Sequence, residues 1–389
     1  MSGDAFALVV IGGGPAGLAA ARSFREAGGT GAVAIVTDEH RMPYRRPPLT
    51  KDLLRGEMAE EELPLEEESW LAEQAISLVS GRAVELDAEG RHVTLSGGRS
   101  LRYESCVLAT GAEPKRLPVC GSDDPAVRVL RSLDHLRELE RRLAPGAEAV
   151  VIGSGFIGSE IAASLRRRGH PVTLISDEPA PNCRRLGEAA ARELAGWLRA
   201  EGVTLLLEVP VEAIERRDGR LQVHAGAERV AAPVVIMATG VAPRGELVAG
   251  QVALEGGALP VDSAMRSGLP GVLAAGDVCM AFNDAAGRRL RVEHWGDALG
   301  QGAIAGQTAA GQEAAWHDVP GFWSTIGART LKYAAWGDGY DEVRFEPVDG
   351  GAFTAWYGRD GRVVGVLAHD CDDNYERGRE LIAKGAPWH

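Results

Sequence analysis

The chain has 389 residues and carries 42 Lys and Arg against 55 Asp and Glu, a formal net charge of −13, which disfavours non-specific binding to nucleic acid or to an anionic membrane. Glycine is the compositional outlier, at 50 residues or about 13 % against a usual ~7 %. Proline is ordinary and no Gly-X-Y period runs through the sequence, so collagen and low-complexity disorder are excluded.

In chain order, the N-terminus MSGDAFALVV has an early acid and no basic stretch, so no leader peptide is expected. The first element is a dinucleotide-binding pattern. Residues 7–38 read as an apolar strand, a G-x-G-x-x-G turn, a helix rich in small residues and a second β-branched strand. Residues 149–177 repeat it. The glycines are Gly12, Gly14 and Gly17 in the first copy and Gly153, Gly155 and Gly158 in the second. The first glycine makes the tight turn, the second admits a pyrophosphate to the backbone, and the third lets helix and strand pack closely. The helix N-terminus then offers free N–H groups and partial positive charge to the phosphates. Asp38 and Asp177 end the second strands, about 20 residues on, where an acid can bind a ribose hydroxyl. One such turn is weak evidence; two strand-flanked copies are strong.

Two further echoes sit between and after these units. Ala109-Thr110-Gly111 and Ala238-Thr239-Gly240 each end an apolar strand, expected to return to a nucleotide pocket or to cross between domains. The segment Val272-Leu273-Ala274-Ala275 reads as a short buried strand, followed by Gly276-Asp277. An acid there can reach a polyol hydroxyl. Beyond residue 316, LKYAAWG, EVRFEP, AFTAWYG and RVVGVLAH read as strands, with a hairpin turn at Arg359-Asp360-Gly361 and a helix at 374–383.

Other clusters carry less. His369-Asp370-Cys371-Asp372-Asp373 matches no structural zinc spacing and reads as a solvated loop, so no metal is expected. The five cysteines are widely spaced, with no C-x-x-C, which suits a reducing compartment. No uncharged apolar run reaches membrane-spanning length. A cytoplasmic protein, monomer or homodimer, is the expectation. Arg166-Arg167-Arg168 and Arg288-Arg289-Leu290-Arg291 are local basic clusters. The plain reading of both is a solvated surface; of the two, the second is the better candidate for steering an acidic electron-transfer partner.

With these motifs in place the chain resembles the flavoproteins that carry two dinucleotide-binding domains. It lacks the cysteine pair of the disulfide reductases. Instead Pro43-Tyr44-Arg45-Arg46-Pro47-Pro48-Leu49-Thr50-Lys51 resembles the corresponding stretch of oxygenase-coupled ferredoxin reductases and of apoptosis-inducing factor. The match continues in order through Gly153-Ser154-Gly155-Phe156-Ile157-Gly158-Ser159-Glu160, Val292-Glu293-His294 and Phe322-Trp323-Ser324.

The resemblance implies an α/β fold with two Rossmann-like domains in the glutathione-reductase-like arrangement and a small α+β C-terminal domain. The expected FAD domain is 1–112 with 242–315, the NAD(P)H domain 113–241 and the C-terminal domain 316–389. For FAD it implies Gly12, Gly14, Pro15, Ala16, Gly17, Asp38, Arg46, Lys51, Ala109, Thr110, Gly111, Gly276, Asp277, Glu293, His294 and Trp295. For NADH it implies Gly153, Gly155, Phe156, Ile157, Gly158, Asp177 and Gly240. Lys51 would sit near flavin N5, paired with Glu160, and Trp323 would cover the ring. Asp177 favours NADH, while Arg184 and Arg185 leave NADPH open. Where relatives often carry Arg and Asp, this chain has Glu113 and Thr325, which alters the surface at the flavin edge.

The implied activity is hydride transfer from NADH to FAD, then single electrons to an iron–sulfur partner such as a [2Fe–2S] ferredoxin. The alternatives are a slow-turnover, NADH-responsive interaction protein like apoptosis-inducing factor, or direct reduction of a small molecule or oxygen.

Overall fold

A computed structural model describes residues 5–389; the early acid Asp4 lies outside the described residues. The apolar run Ala5–Ile11 forms β1, and Pro15–Glu26 forms α1, with Pro at its first position and Gly14 as its extended N-cap. Val33–Thr37 (β2) is buried along its whole length, as a strand covered on both faces must be. β1 pairs in parallel with β2 on one side and with Ser100–Leu108 (β3) on the other. Val272–Ala274 (β4), far away in sequence, adds to the free edge of β3. Ile76–Ser80 extends the sheet beyond β2.

The second copy of the motif builds the same order. Ala149–Ile152, followed by the helix Phe156–Arg167, pairs in parallel with Val172–Ile175 and with Val234–Met237, the strand that ends in the second Ala-Thr-Gly. The segments just after the two Ala-Thr-Gly turns, Ala112–Pro114 and Val241–Pro243, pair with each other. The chain therefore crosses between the two sheets twice at one place.

From Gly321 onward the chain forms a five-stranded antiparallel sheet. Four strands fall where the sequence places them, at Arg329–Ala335, Glu342–Pro347, Phe353–Arg359 and Arg362–His369. The hairpin turn has Asp360 and Gly361 both at positive φ, 49° and 68°, the twist that joins neighbouring strands tightly. The fifth strand, Gly321–Ile326, lies beyond the four that the sequence pattern predicts, because Gly-Phe-Trp-Ser gives no clean alternation. The last helix begins at Asp372 rather than 374, since Asp372 and Asp373 are favourable first-turn acids at its positive end.

The helix Trp295–Ala309 lies across α1 at very short range. A side chain at Gly302 or Gly306 would drive into the carbonyl oxygens of Ala16 and Ala20. Their absence lets two helix backbones touch, which tucks the 295–309 segment against the first nucleotide motif. Among the described residues no helix is long and apolar enough to cross a membrane, and no group of three or more candidate ligands could hold a metal ion.

Candidate active site

The two glycine motifs are built alike, atom by atom. Gly12 and Gly153 sit at φ +125° and +103°, and a Cβ on either would strike the carbonyl oxygen of Ala109 or Ala238. A Cβ on Gly17 or Gly158 would strike the carbonyl of Gly12 or Gly153. The alanine of each Ala-Thr-Gly thus forms the back wall of a glycine turn. Gly14 and Gly155 differ: a Cβ there meets nothing within 4 Å. Each is the N-cap of its helix, and neither helix has a side-chain cap or a first-turn acid. Both turns are therefore closed behind and open in front, with uncapped N–H groups facing the opening. That is a cradle for a pyrophosphate.

Around the first cradle the other FAD candidates converge. Gly276 packs its backbone against Ala16 and Ala298, and its N–H donates to Gln301 Oε1 at 2.9 Å. Asp277, buried, is paired with Arg131 at 2.6 Å. Arg131 also approaches Gly111 and, through its carbonyl oxygen, accepts a bond from Arg46 Nη1 at 2.9 Å. Thr110 donates to the Arg244 carbonyl at 2.7 Å, pinning the crossover. His294 caps the 295–309 helix, contacts Asp297 at 3.1 Å and lies 4.6 Å from the Phe322 ring. Glu293 is exposed beside it and paired with Arg291. Trp295 opens the helix, half-buried.

At the end of β2, Asp38 is exposed and its neighbour Glu39 turns inward. Glu39 pairs with Arg46 and accepts from the Tyr44 hydroxyl, both at 2.5 Å. Burial alone would raise the Glu39 carboxyl. The nearby Arg46 guanidinium, with the Tyr44 hydroxyl and Arg41, holds it below its ordinary value. Burial pushes the Tyr44 hydroxyl up to about 12, so it stays a donor.

Lys51 follows the rigid turn Pro47–Thr50 and is buried. Its Nζ donates to Glu160 Oε2 at 2.7 Å, and Thr50 Oγ1 donates to the same oxygen at 2.6 Å. Glu160 comes from the helix Phe156–Arg167, and that helix grips the Lys51 segment repeatedly at a four-residue spacing. Ser164 Oγ donates to the Thr50 carbonyl at 2.8 Å, and Arg168, at the helix C-cap, donates to the Leu54 carbonyl at 3.1 Å. Phe156, one turn earlier, meets Phe322 edge-on at 4.7 Å and lies 6.0 Å from the Arg185 guanidinium. Trp323, next to Phe322, is 46 % exposed.

On the second cradle Ile157 is exposed at the opening. Asp177 is exposed at the strand end and paired with Arg184 at 2.8 Å. Ser176 is buried and bonded to Ser154 at 2.7 Å. Gly240 closes the second crossover, its carbonyl accepting from the Lys115 N–H.

The basic cluster weighed as a docking site is different in the structure from its look in sequence. Arg288 pairs with Asp338, Arg289 with Glu255 and Arg291 with Glu293. Each arginine is neutralised by an acid, and for Arg288 and Arg289 that acid is distant in sequence. The residues that sequence reasoning missed are Arg131, Glu39, Tyr44 and Ser164. Arg131 follows a two-residue strand with no motif, and the signal for Ser164 was its spacing from Glu160 on one helix face.

Comparison with known proteins agrees with this geometry. The chain is 30 % identical over 387 residues to apoptosis-inducing factor 3 of Mus musculus, covering 97 % of this chain and 63 % of that protein's length. It is 33 % identical over 392 residues to a ferredoxin–NAD(P)+ reductase of a Sphingomonas species, covering 98 % of this chain and 94 % of the relative. Among solved structures, the covalent putidaredoxin reductase–putidaredoxin complex superposes with a TM-score of 0.92 at 27 % identity, covering 99 % of this chain and 94 % of the matched one. The model of the pyridine nucleotide-disulphide oxidoreductase family matches residues 6–302. The chain, with its paired cradles and its buried lysine–glutamate pair, belongs to the pyridine nucleotide-disulphide oxidoreductase family.

Proposed function

We propose that the protein is an FAD-dependent reductase that oxidises NADH and passes electrons singly to an iron–sulfur partner of the ferredoxin type. The observation that carries this is the buried Lys51–Glu160 pair, which ties the Pro47–Lys51 segment to the helix of the second glycine turn, with no cysteine pair beside it. In this reading residues 1–112 and 242–315 hold FAD, residues 113–241 hold NADH and residues 316–389 cap the site. Support for the split FAD unit is the pairing of β4 with β3.

Bound FAD supplies the chemistry, taking a hydride and releasing electrons one at a time. The chain supplies binding and electrostatics. Gly14 and the N-terminus of α1 would hold its pyrophosphate, with Arg46 and Arg131, which are joined through the Arg131 carbonyl, as candidate cations. Asp277 would take a polyol hydroxyl. Lys51, bonded to Glu160, would stand at the ring, with Trp323 as its cover. Gly155 and the second helix N-terminus would hold the NADH pyrophosphate, and Phe156 would border the nicotinamide. Asp177 at the strand end favours NADH, because a 2′-phosphate there would meet a carboxylate; Arg184 already spends its charge on that acid.

The test is anaerobic titration followed by turnover. NADH should bleach the flavin at lower concentration than NADPH, and cytochrome c should be reduced quickly only when a ferredoxin is added. The likeness to apoptosis-inducing factor 3 favours a second reading, a slow NADH-responsive switch. A long-lived, long-wavelength charge-transfer band with no acceleration by any ferredoxin would select it.

A further inference from the structure

The Glu160 carboxylate has a further partner beside Lys51 and Thr50. Ser324 Oγ donates to Glu160 Oε1 at 2.6 Å, while Lys51 and Thr50 share Oε2. Glu160 is 2 % exposed and Ser324 1 %. One carboxylate thus joins three segments distant in sequence: the turn at Thr50–Lys51, the helix Phe156–Arg167 and the strand Gly321–Ile326. Alternation along that strand turns Ser324 inward and its neighbour Trp323 outward. Ser324 is therefore the point where the strand that presents Trp323 is tied to the lysine.

We propose that Ser324 is a positioning residue for the flavin-facing lysine, an inference that rests on the function proposed above. Its hydroxyl fixes Oε1, and so presents Oε2 to Lys51 in one orientation. The terminal torsion of a glutamate is broad and roughly two-fold, so nothing in the side chain itself sets that angle. A buried carboxylate oxygen stripped of its donor turns to recover a partner or draws in water. Either response moves Oε2 relative to Lys51, and it loosens the strand that carries Phe322 and Trp323.

The test uses the FAD-loaded protein and five variants: Ser324→Ala, Ser324→Thr, Glu160→Gln, Lys51→Ala and the double variant Ser324→Ala with Glu160→Gln. The readouts are FAD content, visible absorbance, flavin midpoint potential and stopped-flow reduction across NADH concentration. Ser324→Ala should keep FAD but shift the flavin potential. It should lower the limiting reduction rate roughly tenfold, the scale of one hydrogen bond to a charged group. Its NADH dissociation constant should stay near the wild-type value. Ser324→Thr, which keeps the hydroxyl, should restore both rate and potential. The double variant should be no slower than Glu160→Gln alone, because both changes act through one carboxylate. If Ser324→Ala loses the cofactor, Ser324→Cys takes its place as a weak donor of similar size, with an intermediate slowing expected. A wild-type rate and potential in Ser324→Ala or Ser324→Cys, with Glu160→Gln still slow, overturns the role of Ser324 and leaves the proposed function standing. Wild-type reduction in Glu160→Gln and in Lys51→Ala as well would show instead that the lysine pair itself is not part of the reaction.

Discussion

Single residues separate folding from binding most cleanly at the glycine turns. Gly12 is needed by the backbone itself: it sits at positive φ with the Ala109 carbonyl against it. Gly14 is at φ −91°, with open space before it. Gly12→Ala is therefore expected to prevent soluble expression, whereas Gly14→Ala should melt within a few degrees of wild type as apoprotein and yet bind FAD at least tenfold more weakly. Equal losses of stability in the two variants would show that Gly14 serves the fold and not the ligand. The Glu39 carboxyl makes a prediction about pH. Its folded value lies below its unfolded one, so its stabilisation is complete above the ordinary carboxylate range and is lost as pH falls through the lowered value. Glu39→Gln should accordingly be less stable than wild type near neutrality, with the gap closing in acid. Thermal melts of both proteins across pH check this; a gap of constant size would mean that the Glu39 charge contributes nothing.

Between elements, the deciding contact is the crossing of α1 with the 295–309 helix. It carries the Gly276–Asp277 turn and the N-cap His294 up to the first glycine motif, and it exists because Gly302 and Gly306 have no side chains. Gly302→Leu must push the two helices apart against a backbone that cannot yield. Overpacking of a tight contact typically costs ~1–3 kcal/mol, and the shift should also lower FAD occupancy. Calorimetry and the flavin-to-protein absorbance ratio measure the two effects. Undiminished stability and occupancy would mean that the helices tolerate separation. The helix Phe156–Arg167 makes the complementary point. Glu160, Ser164 and Arg168 reach the 50–54 segment at four-residue intervals, which is the helical period written as contact with a segment distant in sequence.

Across the whole molecule, the net charge of −13 and the pairing of the arginines change what a partner meets. Arg288 and Arg289 are each about half exposed and each bound to an acid, so the cluster offers a partner little net field. We expect the double variant Arg288→Gln with Arg289→Gln to alter the KM for a ferredoxin acceptor by less than about threefold at moderate salt, where surface charges are screened beyond ~10 Å. Steady-state kinetics over a salt series will show this. A tenfold rise in KM that vanishes at high salt would restore the arginines as the docking site.

The sequence by itself determined the two nucleotide cradles, their strand–turn–helix context and the return of each Ala-Thr-Gly strand. Those features depend on contacts within short units, so residue type and spacing carry them. Asp277 was legible as an acid at a strand end, and the Asp360-Gly361 turn by its demand for positive φ. The tertiary structure alone decided which acid each cation meets. Arg131 on Asp277, Glu39 on Arg46 and Asp338 on Arg288 join residues 146, 7 and 50 positions apart, and no local pattern encodes such partners. It likewise decided that Lys51, Glu160 and Ser324 meet at one buried carboxylate. Each of these residues is ordinary where it stands in the chain. Only the packing of three separate segments excludes water around them, and burial is what turns these polar side chains, with Thr50, into one obligatory network.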